Sequence, residues 1–266
     1  MALGQATIDA SSFATIRVVS GAATLVLVSS LTRRTEVPPT RGSWVSATML
    51  FLYAVPFSFA YLSLSTGTGA LILFGLVQVT MILAALGSGE RPHLWEWVGL
   101  VLAFTGLVYL VSPGLTAPSP IGSLLMAVAG ISWGLYSLWG RGAANPLADT
   151  TGNFVRAVPL VLGVSLVTLS QTNLSGTGIF LAILSGALAS GLGYVVWYAA
   201  LQGLTRTRAA TVQLSVPVLA AMGGVFFLSE DVSLRLIVSA VLILGGVGIA
   251  IVSKGRVVPQ KVTVPR

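Results

Sequence analysis

Nine apolar segments, each roughly 18 to 22 residues long, follow one another along this chain with only short connections. A helix needs about 20 mainly apolar residues to cross the hydrocarbon core of a bilayer. Inside lipid every backbone polar group must be bonded within the structure, which favours helices. We therefore predict an all-α membrane protein, a polytopic bundle of about nine transmembrane helices. The predicted spans are 13–31, 44–64, 67–87, 95–112, 120–139, 152–170, 178–201, 208–228 and 234–253.

The composition agrees with a lipid environment, because 55% of the residues are apolar and only 8% are charged. A soluble domain carries about 25% charged residues. The net charge of +7 lies mostly in loops between the spans, which favours a role in membrane topology over nucleic-acid binding. The chain has no cysteine, which excludes disulfides and thiolate metal sites. We predict no cofactor and no nucleic-acid partner.

The basic residues predict the orientation of the spans. Only Arg235 lies in a loop on one predicted side, whereas eleven basic residues lie on the other. Because cytoplasmic loops carry the excess of lysine and arginine, we predict a multi-pass protein of the cytoplasmic membrane with a cytoplasmic C-terminus. The eleven residues are Arg33, Arg34, Arg41, Arg91, Arg141, Arg206, Arg208, Lys254, Arg256, Lys261 and Arg266.

The last helical hairpin repeats an earlier one at a spacing of 140 residues without a gap. An odd number of spans separates the two copies, so they cross the membrane in opposite directions. Inverted repeats of this kind are typical of secondary transporters, in which the substrate site lies between two halves. The first copy contains Glu90, Leu94, Val98, Val101, Leu102 and Gly106, and the second contains Glu230, Leu234, Val238, Val241, Leu242 and Gly246.

The repeat also predicts the domain organisation. Arg17 and Arg156 lie near the starts of the first and sixth spans at a similar offset, but only the second copy has a further span before its arginine helix. We predict a first repeat of four helices over 1–116, a second of five over 117–255, and a cytoplasmic tail over 256–266. The partner of the fifth span would precede Met1. A truncated start and a natural nine-helix protein remain alternatives.

These features resemble the drug/metabolite transporter superfamily of the EamA-like type. The resemblance covers residues 12 to about 255 and rests on the order and duplication of its motifs. They are the Trp133-Gly134 pair in the opening helix, the arginine of the following helix, and the glutamate loop before a Val-Leu-x3-Gly helix. The resemblance implies a secondary transporter that moves a small metabolite or amphiphilic compound by alternating access, and a possible homodimer. The alternative is a truncated or non-transporting protein of the same fold.

Polar and aromatic residues inside the spans are candidates for a substrate site. An amide in hydrocarbon needs a partner, either another helix or a ligand. Aromatic rows can wall a cavity, although they also form packing contacts and interface belts. The predicted substrate-binding residues are Gln78, Trp133, Tyr136, Arg156, Trp197, Tyr198 and Gln213.

Gating or structural roles are predicted for Arg17, Pro56, Pro159 and Pro217. Arg17 and Arg156 lie about one turn inside opposite faces of the membrane, where each can bind an anionic group, form a gating ion pair or extend to the headgroups. Each proline removes a backbone donor and bends its helix, either as a hinge or as a fixed kink.

The seven acidic residues all lie in loops or at helix ends, so no deep carboxylate is predicted to bind a proton or sodium. Glu90 and Glu230 are predicted to cap the helices that follow them or to act as gates, and Asn153 to cap the sixth helix. With one histidine, His93, and scattered acids, the chain lacks the clustered groups of a membrane enzyme, and we predict none.

Overall fold

The computed structural model describes residues 7–32, 42–112, 118–141, 143–228 and 232–253. Glu230 and Asp231 therefore lie outside the described residues. So do seven of the basic residues on which the predicted orientation rests: Arg33, Arg34, Arg41, Lys254, Arg256, Lys261 and Arg266. A 3₁₀ turn spans Leu169–Gln171, and a π-helical segment spans Ser185–Leu192. The α-helices are α1 (Ala10–Leu31), α2 (Trp44–Ala60), α3 (Thr66–Gly87), α4 (Leu94–Val111), α5 (Pro120–Gly140), α6 (Pro146–Val167), α7 (Gly176–Leu184), α8 (Gly193–Leu201), α9 (Arg206–Gln213), α10 (Val216–Leu228) and α11 (Leu234–Val252).

The predicted all-α membrane architecture is confirmed, since a helical segment covers each predicted span. Among the described residues, seven helical runs are long and apolar enough to cross a bilayer, including the continuous run Gly176–Leu201 formed by α7, the π segment and α8. The helix α2 is apolar but shorter, with 17 residues. The largest difference from the sequence prediction is α6, which begins at Pro146 rather than at 152.

The early start of α6 has a local cause that a hydropathy scan does not detect. Asn145 accepts a hydrogen bond from the backbone N–H of Ala148 and so caps the helix. Pro146 occupies the first turn, where its missing N–H costs nothing. The Thr150 and Thr151 hydroxyls donate to carbonyl groups one turn earlier, so this polar turn is helical without being apolar.

The three prolines behave differently. The helices α2 and α6 continue through Pro56 and Pro159. The eighth predicted span is interrupted instead: α9 ends at Gln213 and α10 begins at Val216, one residue before Pro217. Ser215 N–H donates to the Val212 carbonyl at 3.0 Å, which is the tighter turn expected where a helix ends.

The chain forms two compact units, each of which takes segments from both halves of the sequence. The repeat boundaries at 116 and 117 stay a prediction. Unit 1 comprises Met1–Thr80 and Val111–Leu204 and contains α1, α2, most of α3, and α5 to α8. Within it, α1 packs against α6 and the π segment, and α2 packs against α5. Glycines allow close approach, since a Cβ on Gly21 would lie 2.6 Å from the Phe154 ring and 3.0 Å from the Gly186 carbonyl oxygen.

Unit 2 comprises Met81–Leu110 and Thr205–Arg266 and contains the end of α3 together with α4, α9, α10 and α11. In it, α4 and α11 cross closely at Gly99 and Gly246, where a Cβ on either glycine would meet backbone atoms of the other helix. Gly106, further along α4, faces Ile243, which lies earlier in α11. The two helices are therefore antiparallel, the orientation that an inverted repeat requires.

Candidate substrate site

Arg17 is buried in unit 1, with only 7% of its surface exposed. It is the eighth residue of α1, about 10 Å along the helix axis from its start, because the Asp9 carboxylate caps the helix three residues earlier than predicted. Its Nε donates to Ser190 Oγ at 2.9 Å, in the middle of the run Gly176–Leu201. In this structure Arg17 therefore contacts a neighbouring helix, and its predicted gating or structural role stays a prediction.

Aromatic residues of α2 complete the surroundings of the guanidinium group. Arg17 Nη2 donates to the Tyr53 hydroxyl at 3.1 Å. The guanidinium carbon lies 5.2 Å from the centre of the Tyr53 ring and 5.4 Å from that of Phe57. Both rings are within the distance at which an aromatic face attracts a cation.

Trp133 of α5 lies between two tyrosines. Its ring centre is 5.0 Å from that of Tyr53 and 4.7 Å from that of Tyr194 on α8. Tyr136, one turn further along α5, is 5.9 Å from Trp133. We call the whole set of contacting rings the aromatic cluster: Tyr53, Phe57, Trp133, Tyr136, Phe154, Tyr194 and Tyr198.

The cluster contains residues that the sequence prediction missed. Tyr53 and Phe57 are four residues apart on α2, and Tyr194 and Tyr198 have the same spacing 141 residues later. This offset is within one residue of the repeat spacing, so a search for aromatic pairs repeated in both halves would have found them. The two halves of the sequence thus place a tyrosine on either side of Trp133.

Three of the predicted binding residues also make interhelical hydrogen bonds. The Tyr198 hydroxyl donates to the Tyr136 carbonyl at 3.1 Å, and Trp197 Nε1 donates to Ser137 Oγ at 3.2 Å. Asn153 Nδ2 donates to the Tyr136 hydroxyl at 3.5 Å. These bonds join α5 to α6 and α8 and fix the rings of Tyr136 and Tyr198, both of which are buried.

A polar pocket of about 510 Å³ opens at one end of unit 1. Its Asn153 side chain connects it to Tyr136 of the aromatic cluster. Asn153 was expected to cap its own helix, but its Oδ1 accepts at 2.9 Å from the N–H of Ser43, the residue that caps α2. Asp149 Oδ1 accepts from Gly42 N–H at 3.1 Å in the same way. The lining residues are Gly42, Ser43, Val45, Ser46, Trp139, Gly140, Asp149 and Asn153.

The remaining predicted binding residues are Arg156, Gln78 and Gln213. Arg156 is partly buried; its Nη1 donates to the Gly152 carbonyl at 3.0 Å and its guanidinium lies 5.9 Å from the Trp44 ring centre. Gln78 is buried in α3 in unit 1, whereas Gln213 is buried at the end of α9 in unit 2. Among the described residues, no group of three or more histidine, cysteine or acidic side chains could hold a metal ion.

Comparison with known proteins identifies the family. The EamA-like transporter family profile matches residues 120–252, and an uncharacterized protein of Pseudomonas aeruginosa, PA1977, is 49% identical over 93% of this chain and 86% of its own length. The chain belongs to the EamA-like transporter family. A probable amino-acid metabolite efflux pump of Salmonella typhimurium is 24% identical over 76% of each chain. A protein of known crystal structure shares the fold with a TM-score of 0.74, 20% identity, and coverage of 90% of this chain and 88% of its own.

Proposed function

We propose that this EamA-like protein is a secondary transporter that moves a small metabolite across the cytoplasmic membrane by alternating access, with its substrate site at the aromatic cluster of unit 1. Membership of a transporter family and several membrane-spanning helices support the general activity. The observation that carries the assignment of the site is the buried arginine within the apolar helix α1, held by Ser190 and Tyr53 among aromatic rings. Intramembrane ionisable residues are expensive and mark substrate pathways.

The polar pocket supports the same location. It ends at Asn153, whose amide contacts Tyr136, so a polar route leads from one end of unit 1 towards the rings around Trp133. In the predicted topology this end is cytoplasmic. Pro217, at the break between α9 and α10, is a candidate hinge for the conformational change. The assignments of Gln78, Arg156 and Gln213 to the substrate site stay predictions.

The experiment is a thermal-shift screen of the purified protein with amino acids, nucleosides and organic cations, followed by counterflow of any hit in proteoliposomes. Amino acids and their derivatives come first, because one relative is named as an amino-acid metabolite efflux pump. We expect Trp133→Ala to remove the protective effect of the hit and its counterflow, since Trp133 lies between Tyr53 and Tyr194. The matched control is Trp95→Ala, because Trp95 is exposed at the start of α4.

Two results would contradict the proposal. If a solute is carried by the wild type and Trp133→Ala carries it equally well, the site lies elsewhere. If folded, reconstituted protein carries none of the solutes, the alternative of a non-transporting membrane protein is favoured.

The predicted cytoplasmic C-terminus is tested separately. A cysteine is introduced in the tail and labelled from each side of the membrane.

A further inference from the structure

Arg17 is a buried cation that no acidic side chain of the described residues neutralises. The two ion pairs found among the described residues, Arg206–Glu90 and Arg208–Glu96, both lie in unit 2. The described acids of unit 1 are Asp9 and Asp149, and both bond to backbone N–H groups elsewhere. An arginine at this depth is costly without a counter-charge, so a negative charge from outside the protein fits the site.

The guanidinium group has N–H donors left for such a charge. Its bonds to Ser190 and Tyr53 use Nε and one N–H of Nη2, and no described group accepts from Nη1. A guanidinium presents its donors as a planar fork that matches a carboxylate in two parallel hydrogen bonds. Nη1 and the second N–H of Nη2 are therefore the donors left for a carboxylate.

A second buried donor, the Tyr194 hydroxyl, lies near the arginine. Its oxygen is close to the Arg17 guanidinium and to the Tyr53 side chain, but it makes no hydrogen bond of good geometry to a described residue. Only 7% of Tyr194 is exposed, and its ring is held by Trp133 and Phe154. An unpaired buried hydroxyl is unfavourable, so an acceptor oxygen from a ligand would satisfy it.

We propose, as an extension of the transport function above, that the substrate carries a carboxylate that binds Arg17 and accepts a hydrogen bond from Tyr194, while its apolar or aromatic part packs against Trp133.

The aromatic cluster supplies one positive charge. The other described arginines of unit 1 are Arg141, at the end of α5, and Arg156, which lies over Trp44. A monoanion is neutralised by this single charge, whereas a phosphate dianion keeps an unpaired charge in the membrane. The observations therefore favour a carboxylate over a phosphate.

The test uses probes of similar shape and different charge: phenylacetate, phenylacetamide and phenyl phosphate. Binding is measured by calorimetry on protein in phosphatidylcholine nanodiscs, which contain no anionic lipid. We expect wild-type protein to bind phenylacetate at least about tenfold more tightly than phenylacetamide, the scale of a charged hydrogen bond. We expect Arg17→Gln to abolish this ratio and Arg17→Lys to keep part of it, because lysine retains the charge without the planar fork.

Two further variants keep the test independent of how well the Arg17 variants fold. Tyr194→Phe retains the ring and removes the hydroxyl, so it should lower the ratio without preventing phenylacetamide binding. Arg235→Gln removes the same charge from the exposed start of α11 and should keep the wild-type ratio. A wild-type protein that binds phenylacetamide as tightly as phenylacetate, or an Arg17→Gln protein with an unchanged ratio, would overturn the inference.

The remaining outcomes separate the inference from the proposed function. Tighter binding of phenyl phosphate than of phenylacetate would overturn the carboxylate assignment. Loss of phenylacetate binding when phosphatidylglycerol is added to the nanodiscs would assign Arg17 to a lipid headgroup and overturn it as well. Counterflow of neutral or cationic solutes by a protein without charge preference would leave the proposed function intact and reject the carboxylate substrate alone.

Discussion

Glu96 and Arg208 form an ion pair of 2.8 Å that joins the first turn of α4 to the first turn of α9. The Glu96 side chain is 3% exposed, and its second oxygen accepts from His93 N–H at 3.1 Å, which caps α4. Arg208 also donates to the carbonyl of Ser253 at the end of α11. One pair of side chains therefore ties three helices of unit 2 together at one end.

Removing one partner of this pair should destabilise unit 2. Glu96→Gln leaves the Arg208 guanidinium partly buried without its counter-charge, and such losses cost about 3 kcal/mol. We expect a clear drop in the thermal midpoint of the protein in detergent. Glu96→Gln combined with Arg208→Gln should cost less than the sum of the two single changes, because the double variant leaves no unpaired charge.

The neighbouring pair provides the control. Arg206 and Glu90 are 4.0 Å apart and more exposed, so Arg206→Gln should change the thermal midpoint less than Arg208→Gln. Equal effects of the two substitutions would mean that burial does not decide the strength of these pairs.

Glu90 itself accepts from the N–H groups of Arg206 and Thr207 at 3.2 Å, so it caps α9 and not, as predicted, the helix that follows it.

The crossing of α4 and α11 should not tolerate a methyl group at its centre. In Gly246→Ala the new Cβ would meet the Gly99 carbonyl oxygen and lie 2.7 Å from Ala103 N, both of which are backbone atoms. Overpacking of this kind costs about 1–3 kcal/mol. We expect a lower thermal midpoint, measured in detergent.

Gly248→Ala is the matched control in the same helix. No atom of another described helix lies within 4 Å of its added Cβ, and alanine is favoured over glycine in a helix by up to about 1 kcal/mol. The control should therefore be neutral or slightly stabilising. Equal destabilisation by both substitutions would contradict the close crossing.

Asp9 makes the start of α1 sensitive to acid. Burial raises the pKa of its carboxyl, but hydrogen bonds from Ser11, Ser12 and Asn173 outweigh that effect and lower the pKa from 3.8 to about 2. Because the folded pKa lies below the unfolded value, the carboxylate stabilises the fold above about pH 4, and this contribution is lost as the pH falls towards 2.

The prediction is a stability difference between wild type and Asp9→Asn that is present at pH 5 and shrinks as the pH falls through 3 towards 2. Thermal midpoints of both proteins in detergent measure it, and the comparison cancels the titration of groups that the two proteins share. A difference that stays constant over this range would show that the carboxylate charge contributes nothing at this cap.

The sequence predicted the helices well and the aromatic cluster only in part, for a physical reason. Lipid acts on every residue of a span, so apolar length alone locates α3 or α11 to within one residue. A binding site, in contrast, depends on which faces of different helices pack against each other. Trp133 and Tyr136 were predicted, but Tyr53 was missed, because no local pattern shows that α2 packs on α5. The position of Arg17 along its helix likewise depends on where the helix begins, and the single capping residue Asp9 sets that start.

Asn153 offers the last test, because one amide group holds both the start of α2 and the aromatic cluster. Its Oδ1 accepts from Ser43 N–H at 2.9 Å, its Nδ2 donates to the Tyr136 hydroxyl, and Gly42 beside it has a positive φ of 64°. Asn153→Ala removes both bonds and leaves the Tyr136 hydroxyl buried without this donor, at a cost of about 1–3 kcal/mol.

Asn153→Asp separates the two roles, because an aspartate keeps the acceptor for Ser43 N–H but cannot donate to Tyr136 when it is ionised. Hydrogen exchange of the first turn of α2 should therefore be fast in Asn153→Ala and close to wild type in Asn153→Asp, while binding of the substrate should weaken in both. If the first turn of α2 is equally poorly protected from exchange in the two variants, the Asn153 amide acts on that turn through Tyr136 alone. The start of α2 would then be independent of the bond from Ser43 in the polar pocket.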